Sequence, residues 1–171
     1  PLMKIAATGH RPPRLGLTYH PEHSKLLTMF AKSVLEESLQ GYGELTLISG
    51  MATGWDQATA HAAVLLGLPF IAAVPFEGQE SQWPHAGRLR YNALLKRAVE
   101  VVVVTPGGYS PEKFITRDRW MVDHADAVLA LWDGEKSGGT FQTIRYAEDQ
   151  DLEVVQIWEQ WESHFWRAGA K

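Results

Sequence analysis

The chain has no cysteine among its 171 residues, which excludes a disulfide framework and a thiolate metal site. It has no excess of positive charge. Sixteen Lys and Arg stand against 20 Asp and Glu, a formal net charge of −4, so nothing global draws it to nucleic acid or to an anionic membrane. No apolar run approaches a membrane span and no charged-then-apolar leader is visible, so cytoplasmic residence is expected. The histidines lack metal-ligand spacing: His20 and His23 flank a helix start, His85 sits in a polar loop, and His61 and His124 fall on separate helices. No metal and no resident cofactor is expected. A nucleophile elbow and a Ser/His/Asp order are also missing. No internal repeat, low-complexity segment or linker divides the chain. One domain is therefore expected over residues 3–171, with Pro1-Leu2 read as an expression scar.

The chain does have apolar residues enough for a sizeable core, 45% against 21% charged. It is organised around residues 45–63, which read as a buried strand, a turn bracketed by Gly50 and Gly54, and a helix rich in alanine. Glycines allow a sharp turn and close approach of a ligand, and the helix that follows presents unpaired N–H groups at the positive end of its dipole. The same device recurs where the strand 127–132 runs into Gly138-Gly139-Thr140. Both turns are candidate phosphate cradles.

In chain order, residues 4–8 form a short strand that ends at Thr8-Gly9-His10-Arg11-Pro12-Pro13, where glycine and two prolines force a loop. A helix follows over 22–40, with Pro21 at its first turn. Strands are predicted at 69–75, 101–104, 127–132 and 153–158, and helices at 87–98, 114–124 and 140–150. The run Val101–Val104 reads as a strand buried on both faces. About six strands alternate with five helices. The fold class is α/β, a single Rossmann-like doubly wound domain with a mostly parallel sheet. Right-handed crossovers then place the loops 8–14, 50–56, 76–85, 105–109 and 133–140 on one edge, where ligands bind in such folds. The polar loop 76–85 is a candidate lid. The tail, with Trp158, Trp161 and Trp166, either docks on its own domain or offers a partner surface. That tail and the 114–124 helix raise the expectation of a homo-oligomer.

Five stretches carry a family resemblance: Thr8-Gly-His-Arg-Pro12, Ser49-Gly-Met-Ala-Thr-Gly-Trp-Asp56, Pro75-Phe76, Arg119-Trp-Met-Val-Asp123, and Ser137-Gly-Gly-Thr140 followed by Arg145-Tyr-Ala147. In their order and spacing the chain resembles the SLOG superfamily, the Rossmann-like group that includes DprA and the LOG phosphoribohydrolases, and within it the YpsA-like branch. The resemblance implies a nucleotide or nucleotide-derived ligand at the carboxyl edge of the sheet. One position departs from the LOG pattern, since Thr143 stands where those hydrolases carry glutamate. DprA-like DNA binding ranks third, because this acidic chain lacks a basic run.

The ligand-binding candidates are Thr8, Gly9, His10, Arg11, Gly50, Thr53, Gly54, Asp56, Pro75, Phe76, Trp83, Gly138, Gly139 and Thr140. His10 and Arg11 can meet a phosphate, and Asp56 can accept from ribose hydroxyls or cap its helix. Phe76 and Trp83 can stack on a base. Arg119 and Asp123, four apart, either serve the site or pair with each other. Two functions remain open, nucleotide binding without turnover and N-glycoside hydrolysis. Hydrolysis needs a carboxylate near the anomeric carbon, and its candidates are Asp56, Glu77 and Asp123, with Arg11 or Arg119 neutralising phosphate.

Overall fold

The computed structural model describes residues 2–167, the side chains of Trp166 and Arg167 excepted; the docking expected of the Trp166 ring lies outside that description. Six strands, β1 (Leu2–Gly9), β2 (Glu44–Ser49), β3 (Phe70–Val74), β4 (Glu100–Val103), β5 (Ala127–Leu131) and β6 (Glu153–Gln156), form one sheet in the order β4-β3-β2-β1-β5-β6. Every neighbouring pair is parallel. Six α-helices connect or follow them among the described residues: α1 (Pro21–Tyr42), α2 (Trp55–Leu66), α3 (His85–Leu95), α4 (Pro111–Asp123), α5 (Gly138–Asp149) and α6 (Trp158–Arg167). A short 3₁₀ turn, Pro12–Leu15, precedes α1.

Strand residues alternate between two cores. Ile5, Ala7, Leu47, Phe70, Leu129 and Leu131 pack beneath α1, α2, α3 and α6, whereas Ala6, Ile48, Ile71, Ala73 and Val128 pack beneath α4 and α5. Both faces of the central strands are buried, as a parallel sheet requires. From β1 the chain winds outward through β2, β3 and β4, then returns to the other side of β1 to lay down β5 and β6. The winding reverses between β1 and β5, so the loops leaving those strands diverge and open a crevice.

Local sequence explains how closely the layers fit. Ala60, Ala62 and Ala63 are fully buried and let α2 lie close on the sheet. Gly9 is required by the same packing, because a Cβ there would fall 2.5 Å from Cδ1 of Trp55. The N-terminus of α1 is capped by His20, whose Nδ1 accepts from the Glu22 amide at 3.1 Å, with Pro21 in the first turn.

One strand differs from expectation, and the tail takes the docked course of the two expected for it. The Val101–Val104 run is not buried on both faces: β4 is the edge of the sheet, and Val101 and Val103 are 43% and 47% exposed. Its β-branched residues reflect strand propensity, which does not distinguish an edge from a centre. The aromatic tail forms a sixth helix, α6, on its own domain. Trp161 is only 1% exposed, its Nε1 donates to the Leu15 carbonyl at 3.3 Å, and its ring lies 5.2 Å from that of Phe30. This docking removes Trp161 from the surface on which self-association was expected.

Because the Trp161 ring fills the core between α1 and the 3₁₀ turn, Trp161→Ala is expected to cost about 3–5 kcal/mol. Urea denaturation monitored by circular dichroism measures it. A loss below about 1 kcal/mol would show that α6 contributes little to the fold.

Candidate functional site

The crevice between β1 and β5 holds a cleft of about 320 Å³. Ala6, Ala7, Thr8 and Gly9 of β1 form its floor, and His10, Arg11 and Arg14 of the following loop form one wall. Ala52 and Asp56 enter from the β2–α2 turn, Phe114, Arg117, Asp118 and Met121 from α4, and Gly139, Thr140 and Thr143 from the start of α5.

The two glycine turns are used differently. At Gly50 a Cβ would fall 2.7 Å from the Arg117 guanidinium carbon, so the space that glycine opens is filled by protein. Arg117 is buried and donates from Nη1 to the carbonyls of Gly50 (2.5 Å) and Ala73 (3.2 Å), and from Nε to Asp118 (2.8 Å). Gly54 is packed as closely, since a Cβ there would stand 2.5 Å from the His10 carbonyl oxygen. Its φ of 88° also favours glycine. The Trp55 amide donates to that same carbonyl (3.1 Å), and the Gln57 amide to Ala52 (3.2 Å). Two of the first amides of α2 are thereby bonded to protein outside the helix.

The N-terminus of α5 is open. Ser137 precedes it without a side-chain cap, and no described group accepts from the amides of Gly138, Gly139 or Thr140. Gly139 and Thr140 face the cleft, and a Cβ on Gly139 would meet nothing nearer than Asp118 Oδ2 at 3.9 Å. Uncapped amides, a helix dipole and open space coincide here, which is the arrangement that receives an anion.

Charge is distributed to match. Arg11 is exposed at the cleft, and its side chain has no hydrogen bond or ion pair to a described residue. Arg14 is anchored to Asp133 (2.8 Å) and Glu135 (3.2 Å). Burial works to raise the Asp133 carboxyl, but the Glu135 amide, Arg14 and His10 outweigh it and hold it below its ordinary value. His10 is buried, and burial keeps its imidazole below the usual range against the pull of Asp133. The neutral ring accepts the Asp133 amide at Nε2 (3.1 Å), joining the two loops that diverge at the crevice. Asp56 is the chemically distinctive group. Burial pushes its carboxyl up to about 7, a rise that Arg117 moderates and Asp118 reinforces, so at neutral pH it both donates and accepts.

Of the sequence candidates, Thr8, Gly9, His10, Arg11, Asp56, Gly139 and Thr140 are brought together in the cleft, with Gly138 opening α5. Thr53 and Gly54 instead line a separate trough between α1, α2 and α3. Pro75 and Phe76 are buried beside the cleft, where Phe76 packs edge-on against Phe114 at 5.5 Å. Trp83 packs on Tyr91 at 5.3 Å and Glu77 is exposed to solvent; neither lines the cleft. Asp123 accepts from the Tyr146 hydroxyl (2.7 Å), and Arg119 lies over the same ring (5.1 Å), which places both on the outer α4–α5 surface. The expected lid contributes no residue to the cleft. Its Gln79 is buried and donates to the Gly50 carbonyl at 3.1 Å, tying the loop to the scaffold.

Arg14, Phe114, Arg117, Asp118 and Thr143 were not among the sequence candidates. For α4 the signal was its phase: Phe114, Arg117, Asp118 and Met121 follow i, i+3, i+4, i+7 and share one face, whereas Arg119 and Asp123 belong to another.

Between the ordinary value of 3.8 and about 7, an unfolded chain has an ionised Asp56 while the folded chain keeps the proton. Unfolding then releases a proton, and stability falls as pH rises, by up to about 1.4 kcal/mol per unit. Asp56→Asn, neutral throughout, is expected to lose this contribution, so its stability relative to the native protein climbs from acid to neutral pH and then levels. Denaturant midpoints across a pH series test this, and parallel curves would contradict it.

No described helix is long and apolar enough to cross a membrane, and no group of three or more His, Asp or Glu among the described residues is placed to hold a metal. Among solved structures the chain is similar to DNA processing protein A (DprA) from Streptococcus pneumoniae, with a TM-score of 0.62 and 21% identity over 91% of this chain and 50% of that one. DprA from Helicobacter pylori, described for its single-stranded DNA binding mode, matches with a TM-score of 0.62 and 16% identity over 90% of this chain and 64% of that one. The chain thus spans about half to two thirds of those structures, and the likeness concerns the fold. In sequence it is 31% identical over 142 residues to the SPbeta prophage-derived protein YoqJ of Bacillus subtilis, covering 74% of this chain and 82% of that protein. It is 29% identical over 187 residues to UPF0398 protein OB1025 of Oceanobacillus iheyensis, covering 96% of this chain and all of that protein. The model of the YspA SLOG family matches residues 5–158, nearly the whole sheet and every wall of the cleft, and the chain belongs to that family.

Proposed function

We propose that this protein binds a phosphorylated nucleoside in the cleft between β1 and β5, with phosphate on the first-turn amides of α5. The observation that carries this reading is the contrast between the two glycine turns. The α2 turn is closed on the protein by Arg117 and the first loop and spends its Trp55 and Gln57 amides there, whereas Gly138, Gly139 and Thr140 present three successive free amides beside Arg11 and Arg14. Phe114, Met121, Ala6 and Ala7 offer an apolar wall for a base, and Asp56, protonated near neutrality, offers both halves of a hydrogen bond to a sugar. A cleft of about 320 Å³ is at the small end of ligand sites and suits a nucleoside monophosphate better than a dinucleotide.

A second reading rests on a specific juxtaposition. Two carboxyls, Asp56 and Asp118, line the same cleft, and the charge of Asp118 helps to raise Asp56. Carboxyls in unlike environments are the arrangement that acid–base hydrolysis of an N-glycosidic bond uses. Thr143 donates to the Gly139 carbonyl at 2.8 Å and supplies no carboxylate, so turnover would fall to this pair. DNA binding, described for the Helicobacter protein, is less favoured by a cleft with two carboxyls in a chain of charge −4.

Titration calorimetry with nucleoside monophosphates, ADP-ribose and a short single-stranded DNA tests the first reading. A monophosphate is expected to bind, and at about 100 times its dissociation constant to add roughly 2.7 kcal/mol of stability. Gly139→Val, whose Cβ would make only an ordinary contact with Asp118 Oδ2 at 3.9 Å in the free protein, is expected to abolish binding. Arg11→Ala is expected to weaken it about tenfold. Silence across the panel, or unchanged affinity in Gly139→Val, would remove the α5 terminus from the function. Chromatographic detection of free base, lost in Asp56→Asn and Asp118→Asn, would establish hydrolysis, and tight binding without base release would exclude it for those ligands.

A further inference from the structure

A second and larger cavity lies away from the cleft, a trough of about 630 Å³ between α1, α2 and α3. Leu27, Ala58 and Leu94 form a buried apolar floor, and Met29 and Leu65, 47% and 51% exposed, stand on its rim. Three cations line it: Lys25 on α1, Arg90 on α3, and Arg97 in the turn that closes α3. None of the three side chains has an ion pair or hydrogen bond to a described residue. No Asp or Glu lines the trough, although acidic residues outnumber basic ones, 20 to 16, in the chain as a whole. The nucleotide-binding reading uses none of these residues.

We infer that this trough receives an acidic amphipathic helix of a partner protein, its apolar face on the Leu27–Ala58–Leu94 floor and its carboxylates against Lys25, Arg90 and Arg97. Three observations select that occupant. The charge is uncompensated and of one sign, so the complement is an anion. The floor and rim are aliphatic, which suits Leu-type anchors at helical spacing, and a Met on the rim adapts to their shape. Tyr19 is the single phenyl-type ring in the lining, so successive bases of a nucleic acid strand find no stacking platform. Burial, and then the charge of Arg90, hold the His61 imidazole below its ordinary value. His61 therefore adds no positive charge to that of Lys25, Arg90 and Arg97 at neutral pH. The trough is separate from the cleft, since the turn before α2 presents Thr53 and Gly54 to one and Ala52 to the other.

The test uses a fluorescent peptide of about 16 residues, with Leu at i, i+3, i+4 and i+7 and Glu on the flanks, beside the same peptide with Lys for Glu. Anisotropy titration of the full chain is expected to show binding of the Glu peptide, weakening with added salt, and none of the Lys peptide. Arg90→Glu/Arg97→Glu is expected to weaken the Glu peptide about tenfold or more. Lys25→Glu is expected to weaken it in the same direction, and Gly139→Val, in the cleft, to leave it unchanged. Circular dichroism confirms that each variant is folded. Absence of Glu-peptide binding, or equal affinity in the double variant, would overturn the proposal. Binding of an oligothymidylate of about 20 nucleotides, lost in the double variant, would assign the trough to nucleic acid instead.

Discussion

The geometry of the cleft depends on one buried guanidinium. Arg117 reaches from α4 beneath the carboxyl ends of β2 and β3, where it donates to the carbonyls of Gly50 and Ala73 and to Asp118. A cation taken out of water must be fully engaged, because leaving it unpaired costs several kcal/mol. Its partners therefore hold one another in place. The Gly50 carbonyl also accepts from Gln79, so strand ends, the 76–85 loop and α4 meet at one point.

That engagement decides which glycine turn is free. With Arg117 against Gly50 and the first loop against Gly54, the β2–α2 turn becomes a structural joint. The β5–α5 turn has no such occupant. It remains uncapped at the place where the strand order reverses, between β1 and β5. The same cation moderates the rise that burial imposes on Asp56, and Asp118 works against it. A carboxyl poised near neutrality, an open helix terminus and an unpaired Arg11 side chain meet in one cleft.

Much of this was legible in the chain. Strand–helix alternation with apolar strands indicates a doubly wound parallel sheet, and the glycine turns mark its carboxyl edge. Thr8 to Arg11, Asp56, Gly139 and Thr140 were readable because they sit at strand ends and helix starts, or in the loop between, whose common edge follows from chirality. Arg117 and Asp118 were not, since adjacent charges on a helix look like a solvated face until the phase set by Phe114 and Met121 is resolved. Local pattern also did not tell Gly50 from Gly139. Both are glycines at a strand-to-helix turn, and only a side chain arriving from residue 117 closes one of them. The edge position of β4 was hidden for a similar reason, because which strand ends a sheet is a long-range fact.

The most direct measurement is the amide chemical-shift response of the ¹⁵N-labelled protein during titration with a nucleoside monophosphate. The account predicts downfield movement of the Gly138, Gly139 and Thr140 amide protons as they donate to phosphate, with the Gly50 and Gly54 amides little changed. Movement confined to Gly50 and Gly54, with the α5 terminus unmoved, would contradict it.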